Sequence, residues 1–262
     1  PDVVLGGGGY VAGPMVLAAR LSGVPAALTE SDAHLGLANR LAAPFAQRLF
    51  LAYPVEGVGG DKVRVTGRPI PARSRAGAVS RAEARALFGL PAEGPVLLVA
   101  GGSQGAKALN DLVIDAFGGE EGLGVLHLCG ARDYEALAPR VARPGYRLVA
   151  FTDDFGAALA ASDLAISRAG GSVWEVAAAG VPAILVPYPY ATADHQTKNA
   201  RWFERGGGAV VVPQTELARV PALARELLAD AGRLAAMRAA QLAQARPDAA
   251  DEIAEELLRL VR

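Results

Sequence analysis

Three times along the chain an apolar run ends in glycines and passes into an Ala- or Leu-rich stretch: Gly6-Gly7-Gly8-Gly9-Tyr10, Gly101-Gly102-Ser103-Gln104-Gly105 and Ala169-Gly170-Gly171-Ser172. A strand-to-helix turn of this kind leaves unpaired backbone N–H groups at the positive end of a helix dipole, and glycine lets a ligand come close to them. Phosphate is the ligand that such a turn suits. One turn alone is often a steric solution, so it is the repetition that carries weight. None of the three has the G-x-G-x-x-G spacing, and no Gly-Lys-Ser or Gly-Lys-Thr follows, which disfavours a nicotinamide cofactor and ATP.

The side chains around these turns extend the chemistry. Ser103 and Gln104 can add a hydroxyl and an amide donor to a diphosphate, or can serve as N-caps of a helix over 106–117. Glu175 stands four residues past Gly171, where its carboxylate can accept from the two hydroxyls of a ribose, or can be a solvated first-turn acid favoured by the dipole. Arg168 can meet a phosphate or pair with Asp153 or Asp154. Thr192 to Asn199 crowds polar side chains into one helix start, and His195 with Gln196 there suits a ligand rich in hydroxyls. Thr29-Glu30-Ser31-Asp32-Ala33-His34 could supply general-base chemistry, or could be a capped loop.

The elements that must hold these residues alternate: short Leu- or Val-rich runs with Ala-rich helical stretches, the pattern of parallel sheets covered by helices. Strands are expected at 2–6, 24–29, 47–53, 62–67, 95–100, 125–129, 146–151, 163–167, 181–186 and 209–213. Pro, Gly and Arg crowd together between 54 and 80, which marks a junction between two domains. A helix restarts at Ser80-Arg81-Ala82-Glu83 with the pattern of a capping box. Residues 176–193 carry no charge, but Pro182, Pro187 and Pro189 interrupt them, so a helix, strand and turn is expected rather than a membrane span. From Thr215 the chain reads as helices only.

The chain has 262 residues, 52% of them hydrophobic, and a formal net charge of −1, so bulk positive charge does not hold it to nucleic acid. Cys129 is its one cysteine, which excludes an internal disulfide and a multi-thiolate metal site. It is expected as a small buried hydrophobe. The sequence opens directly on the apolar run Val3-Val4-Leu5, and a further N-terminal piece is expected before Pro1.

In this order Pro1 to Val11, Gly101 to Ala106, Phe151-Thr152-Asp153-Asp154, Arg168 to Glu175 and Asp194-His195-Gln196-Thr197-Lys198-Asn199-Ala200 resemble the MurG family. These are the UDP-N-acetylglucosamine transferases that complete the lipid-linked disaccharide-pentapeptide of bacterial peptidoglycan. The resemblance implies an α/β, GT-B fold: two Rossmann-like doubly wound domains facing across a cleft, the first of them incomplete. It implies an acceptor-side domain over 1–67, a linker over 68–79, a donor domain over 80–240 and a helical segment over 241–262 that packs back on the first domain. UDP-N-acetylglucosamine would be the donor, with no tightly bound cofactor and no metal. A polyprenyl-diphosphate-linked acceptor and a membrane surface would be the partners, with no nucleic acid, at the cytoplasmic face of the bacterial membrane. Lipid contact would be peripheral, and a helix over 36–48 with Leu37, Arg40, Leu41, Phe45 and Arg48 is a candidate for it, or for ordinary core packing.

By the same resemblance Ser103 and Gln104 would contact the diphosphate or ribose, the backbone at Thr152 would pair with uracil, and Gly170, Gly171 and Ser172 would hold the diphosphate. Glu175 would take the ribose, His195 and Gln196 the sugar hydroxyls, and Arg168 would also face the donor. Tyr10, Asp32 and Arg68 would touch acceptor or donor, and Glu30 would be the catalytic candidate within this sequence. The chain departs from the family pattern in four places. The family's Gly-rich turn with a histidine near the N-terminus is absent, and Thr29-Glu30-Ser31-Asp32 replaces a His-Glu-Gln-Asn. An arginine is displaced to Arg68 or Arg73, and the Arg168 to Glu175 segment is one residue short. Other readings of the same residues are another UDP-sugar transferase or epimerase of this architecture, and a nucleotide-sugar-binding half that needs a second polypeptide.

Overall fold

The computed structural model describes residues 1–102 and 106–261. In chain order the first elements are β1 (Val4–Gly6), α1 (Gly9–Leu21), β2 (Ala26–Glu30), α2 (Leu37–Ala42), β3 (Arg48–Leu51) and β4 (Val63–Val65). They are followed by α3 (Arg81–Leu87), β5 (Val96–Ala100), α4 (Lys107–Phe117), β6 (Gly124–Leu128), α5 (Ala131–Leu137), β7 (Tyr146–Val149), α6 (Phe155–Ala160) and β8 (Leu164–Ser167). The chain ends with α7 (Val173–Ala178), β9 (Ala183–Leu185), α8 (His195–Arg205), β10 (Ala209–Val211), α9 (Val220–Ala229), α10 (Ala231–Gln244) and α11 (Ala249–Val261). Two compact units result, one of residues 1–70 and 246–262, the other of residues 71–245.

The first unit is a parallel sheet in the order β1-β2-β3-β4. Side chains alternate across a strand, so Leu28, Leu49 and Leu51 pack on one face against Val16, Ala19 and Ala42, while Ala27 and Phe50 meet Ile253, Leu257 and Leu260 of α11 on the other. An ion pair between Arg48 and Glu256 at 2.8 Å fastens the same helix to β3.

The second unit is a parallel sheet in the order β10-β9-β8-β5-β6-β7. Counted within the unit this is the 3-2-1-4-5-6 order of dinucleotide-binding folds, with its reversal between β5 and β8. Strands β5 and β6 are buried along their whole length, because helices cover both faces, and this is why β5 reads as an unbroken apolar run and β6 departs from one only at His127. Leu109, Val113 and Phe117 of α4 pack with Leu97, Val99 and Val125, and each such fully buried side chain contributes about 1.5–3 kcal/mol.

Two polar networks interrupt this core. At the amino ends of β5 and β8, Arg85 is buried and donates to the carbonyls of Ala161, Ala92 and Gly94 and to the Asp163 carboxylate, which also accepts from the Val96 N–H. Below β6, His127 Nε2 meets Asn110 Oδ1 at 3.0 Å and Nδ1 meets the Tyr146 hydroxyl at 2.8 Å. The Asn110 amide nitrogen donates to the Cys129 carbonyl and to Asp133, so its oxygen must accept. His127 therefore carries its hydrogen on Nε2, and Nδ1 accepts from Tyr146. Cys129 is buried, and burial pushes its thiol up to about 11, as befits a packing residue.

The capping box expected at Ser80 is present: the Ser80 hydroxyl accepts from the Glu83 N–H and the Glu83 carboxylate accepts from the Ser80 N–H. The chain crosses from one unit to the other after Ile70. Beyond the crossing it does not run free: residues Ala72–Ser74 form a short 3-10 turn, and the Ala76 N–H donates to the Ala178 carbonyl of α7 at 2.8 Å. A Cβ built on Gly156 of α6 would stand 2.0 Å from the Arg73 carbonyl oxygen, so only glycine allows this approach. Among the described residues no helix is long and apolar enough to cross a membrane.

Candidate functional site

Reversal of strand order opens a crevice outside the carboxyl ends of β5 and β8, the place where ligands bind in doubly wound sheets. The second unit has a cavity of about 290 Å³ there. Its floor is apolar, from Ala100, Leu128, Ala150, Phe151 and Phe155, and its polar wall comes from Arg73, Thr152, Asp153, Ser172 and Glu175. Gly102, with φ +87, brings the backbone after β5 to its edge. Phe151 is 62% exposed, an aromatic face left open where a planar base could lie.

The sequence-derived residues divide into those the structure gathers here and those it does not. Thr152, Ser172 and Glu175 line the cavity together. The Thr152 hydroxyl accepts from the Asp154 N–H, which shapes the loop after β7. Glu175 is tied by a 2.8 Å hydrogen bond from the Ser74 hydroxyl. Ser103 and Gln104 lie outside the described residues. Gly170 and Gly171 form the turn before α7, where the Val173 and Trp174 N–H groups donate to their carbonyls. Those two N–H groups are thus engaged internally, and the turn offers fewer bare donors than its glycines suggest.

Arg168 finds its partners within the protein. Its guanidinium donates to the carbonyls of Val186 and Pro187 and to Gln214, and lies 5.6 Å from the centre of the Tyr188 ring. Uncapped carbonyls at the end of β9 are the physical reason, since they need donors and an arginine fork supplies several. Burial holds its pKa below the ordinary arginine value.

His195 and Gln196 sit at the start of α8, outside the cavity lining. The His195 Nδ1 meets the Thr192 carbonyl at 2.8 Å. A carbonyl only accepts, so Nδ1 carries the hydrogen and Nε2 is left as an acceptor in the neutral ring. The Gln196 oxygen accepts from the Tyr188 N–H, which leaves its amide hydrogens to donate outward. The chain reaches this helix through Ala193 and Asp194, both at φ +53, a left-handed pair without glycine. Asn199, fully buried, donates to the Ala169 carbonyl and so couples α8 to the turn before α7.

In the first unit Glu30 does not present a free carboxylate. One oxygen accepts from the N–H groups of Ser31 and Asp32, the other from the Gly36 N–H and the Asn39 amide. Its four lone pairs are occupied by these donors, so the residue holds the loop that carries Asp32, as expected of a capped loop. Glu30 and Arg68 line a cavity of about 530 Å³ with Thr29, Ser31 and residues of α11, and Tyr10 is fully exposed on α1. Arg68 therefore belongs to the first unit's cavity and Arg73 to the second's. Sequence reasoning left that choice open, and it had no signal for Ser74, whose role depends on the docking of its turn.

Two parallel α/β units, the second doubly wound with a carboxylate-bearing cavity at its strand-order reversal, have the architecture of a GT-B glycosyltransferase. The family model described as "Glycosyltransferase family 28 C-terminal domain" matches residues 96–253, and that described as "Glycosyltransferase family 28 N-terminal domain" matches residues 1–51. The chain belongs to glycosyltransferase family 28. A relative from Nitratidesulfovibrio vulgaris, named UDP-N-acetylglucosamine--N-acetylmuramyl-(pentapeptide) pyrophosphoryl-undecaprenol N-acetylglucosamine transferase, is 43% identical over 100% of this chain and 73% of its own length. The crystal structure of Acinetobacter baumannii MurG superposes with a TM-score of 0.80 at 33% identity, over 98% of this chain and 73% of that one. A UDP-GlcNAc 2-epimerase from Neisseria meningitidis, solved with UDP-GlcNAc bound, has a TM-score of 0.69 at 16% identity over 99% of this chain and 76% of that one, and shares the fold alone.

Proposed function

We propose that this chain performs the inverting transfer of N-acetylglucosamine from UDP-N-acetylglucosamine to the 4-hydroxyl of a polyprenyl-diphosphate-linked N-acetylmuramyl-pentapeptide, the step that completes the lipid-linked disaccharide-pentapeptide of peptidoglycan. The observation that carries the reading at this site is the cavity joining Phe151, Thr152 and Glu175 at the sheet's reversal point. Uracil would lie on Phe151 with its edge at the Thr152 backbone, and the Glu175 carboxylate would accept from the ribose hydroxyls. Arg73 would face the phosphates together with Ser172 and the turn at Gly170 and Gly171, and Ser103 and Gln104 would complete that cradle. His195 Nε2 would accept from a sugar hydroxyl while the Gln196 amide donates to another.

The chemistry this favours is attack of the acceptor oxygen on the anomeric carbon as a base takes the hydroxyl proton, with UDP departing from the opposite face. Charge that develops on the leaving group would be met by preorganised donors and the Arg73 cation rather than by water.

The acceptor is lipid-linked, and the first unit carries apolar side chains suited to a membrane surface: Val11, Met15 and Leu21 on α1, and Leu37 and Leu41 on α2, are all exposed. These side chains support a peripheral seat on the membrane, which we propose to be at its cytoplasmic face. The test is to incubate the protein, expressed with any residues encoded upstream of Pro1, with radiolabelled UDP-N-acetylglucosamine and the lipid-linked muramyl acceptor in phospholipid vesicles. Label should move to the lipid phase. Label that stays with the nucleotide, or is converted to an epimer of the sugar, would overturn the reading.

A further inference from the structure

Glu175 is one turn into a short helix, and the terminal torsion of a glutamate is broad, so nothing in its own backbone fixes the plane of its carboxylate. Gripping a vicinal diol requires that plane to be set, because each oxygen must present a lone pair to one hydroxyl. The structure supplies the fixing group from outside the helix: Ser74 is 1% exposed and its hydroxyl donates to Glu175 Oε1 at 2.8 Å. Oε1 has a second lone pair and Oε2 remains, so both are still available to a ligand.

Ser74 is held firmly enough to serve. Its N–H donates to the Pro71 carbonyl and the Arg75 N–H to the Ala72 carbonyl, which closes the turn. The Ala76 N–H is bonded to Ala178 of α7, the helix that carries Glu175, and Gly156 receives the Arg73 carbonyl without a Cβ in the way. The same turn places Arg73 in the cavity wall. One short segment, three residues past the crossing between the units, thus offers a cation to the cavity and a hydroxyl to the carboxylate beside it.

We infer that Ser74 is a positioning residue for the donor: it orients the Glu175 carboxylate for the ribose hydroxyls and acts only through it. The inference rests on the assignment of Glu175 to the ribose. It is tested by titrating UDP and 2′,3′-dideoxyuridine diphosphate into the protein and its Ser74→Ala, Glu175→Ala and doubly substituted variants, with melting curves as a check on folding. Ser74→Ala should weaken UDP about tenfold, the range for a hydrogen bond to a charged group, and leave the dideoxy analogue unchanged. The double variant should be no weaker than Glu175→Ala alone. If Glu175→Ala keeps the preference for UDP over the dideoxy analogue, the ribose assignment has failed. If Glu175→Ala abolishes that preference and Ser74→Ala does not, the assignment stands and the inference about Ser74 is overturned. Equal loss of both ligands in Ser74→Ala would likewise mark a merely structural residue.

Discussion

His127 is a titratable group locked in its neutral form: burial pushes its pKa down to about 3, and both ring nitrogens are committed to Tyr146 and Asn110. Above the unfolded value of 6.5 both states are neutral and the full stability is present. As pH falls from there toward 3 the unfolded chain takes up a proton that the folded one refuses, and stability falls by about 1.4 kcal/mol per pH unit. Urea unfolding at pH 7, 6 and 5 should show this slope, and His127→Gln should be less stable at pH 7 but flatter below it. A second residue-scale outcome separates the two arginines. Arg73→Ala should raise the Michaelis constant for the UDP-sugar about tenfold or more, as removal of a charged phosphate contact does, and Arg68→Ala should leave it unchanged. At this scale the sequence was only partly legible. Residue types and their neighbourhoods were readable, since Thr152, Ser172 and Glu175 do share a cavity. Side-chain direction was less so: the capped loop at Glu30 was one of two open readings, while Arg168 follows carbonyls at the end of β9 that lie eighteen and nineteen residues away in sequence.

At the scale of elements, the two polar fastenings differ in kind. The Arg85–Asp163 pair at the amino ends of β5 and β8 is far along the strands from the cavity at their carboxyl ends, and Arg85 is 3% exposed. Arg85→Met should therefore lower stability by about 3 kcal/mol, since the carbonyls of Ala161, Ala92 and Gly94 lose their donor and Asp163 keeps only Arg81 and the Val96 N–H, while the UDP-sugar constants stay put. Denaturant melts beside donor kinetics would check both halves. The entrance to α8 is strained instead, with Ala193 and Asp194 both left-handed. Ala193→Gly should raise stability by about 1 kcal/mol by relieving its left-handed strain, readable as a higher melting temperature. All ten expected strands are found among the described residues, those such as β5 because strands covered on both faces must be continuous apolar runs. Their ends were less legible: the run at 181–186 pairs as Ala183–Leu185, since pairing depends on the neighbour's length rather than on hydropathy. The segment expected as a linker over 68–79 was legible as a break in alternation. Its docking on α6 and α7 was not, because that depends on a glycine, Gly156, more than eighty residues away in sequence.

At the scale of the molecule, the two units are unlike in how the chain builds them. The second is one unbroken stretch, residues 71–245, and the first is made of 1–70 and 246–262. Deleting residues 246–262 should therefore expose Phe50 and Ala27, strip hydrogen-exchange protection from β2 and β3, and leave that of β5 and β8 intact. A map of exchange rates by mass spectrometry would show whether the loss is confined in this way. The discontinuity also sets an order of events during synthesis. The second unit has all of its residues in hand as soon as Ala245 is clear of the ribosome, whereas the Phe50 face, translated much earlier, stays bare until Ile253 arrives. The unit begun earlier is thus the one finished later, and during that interval a nascent-chain chaperone would find its binding surface on the first unit.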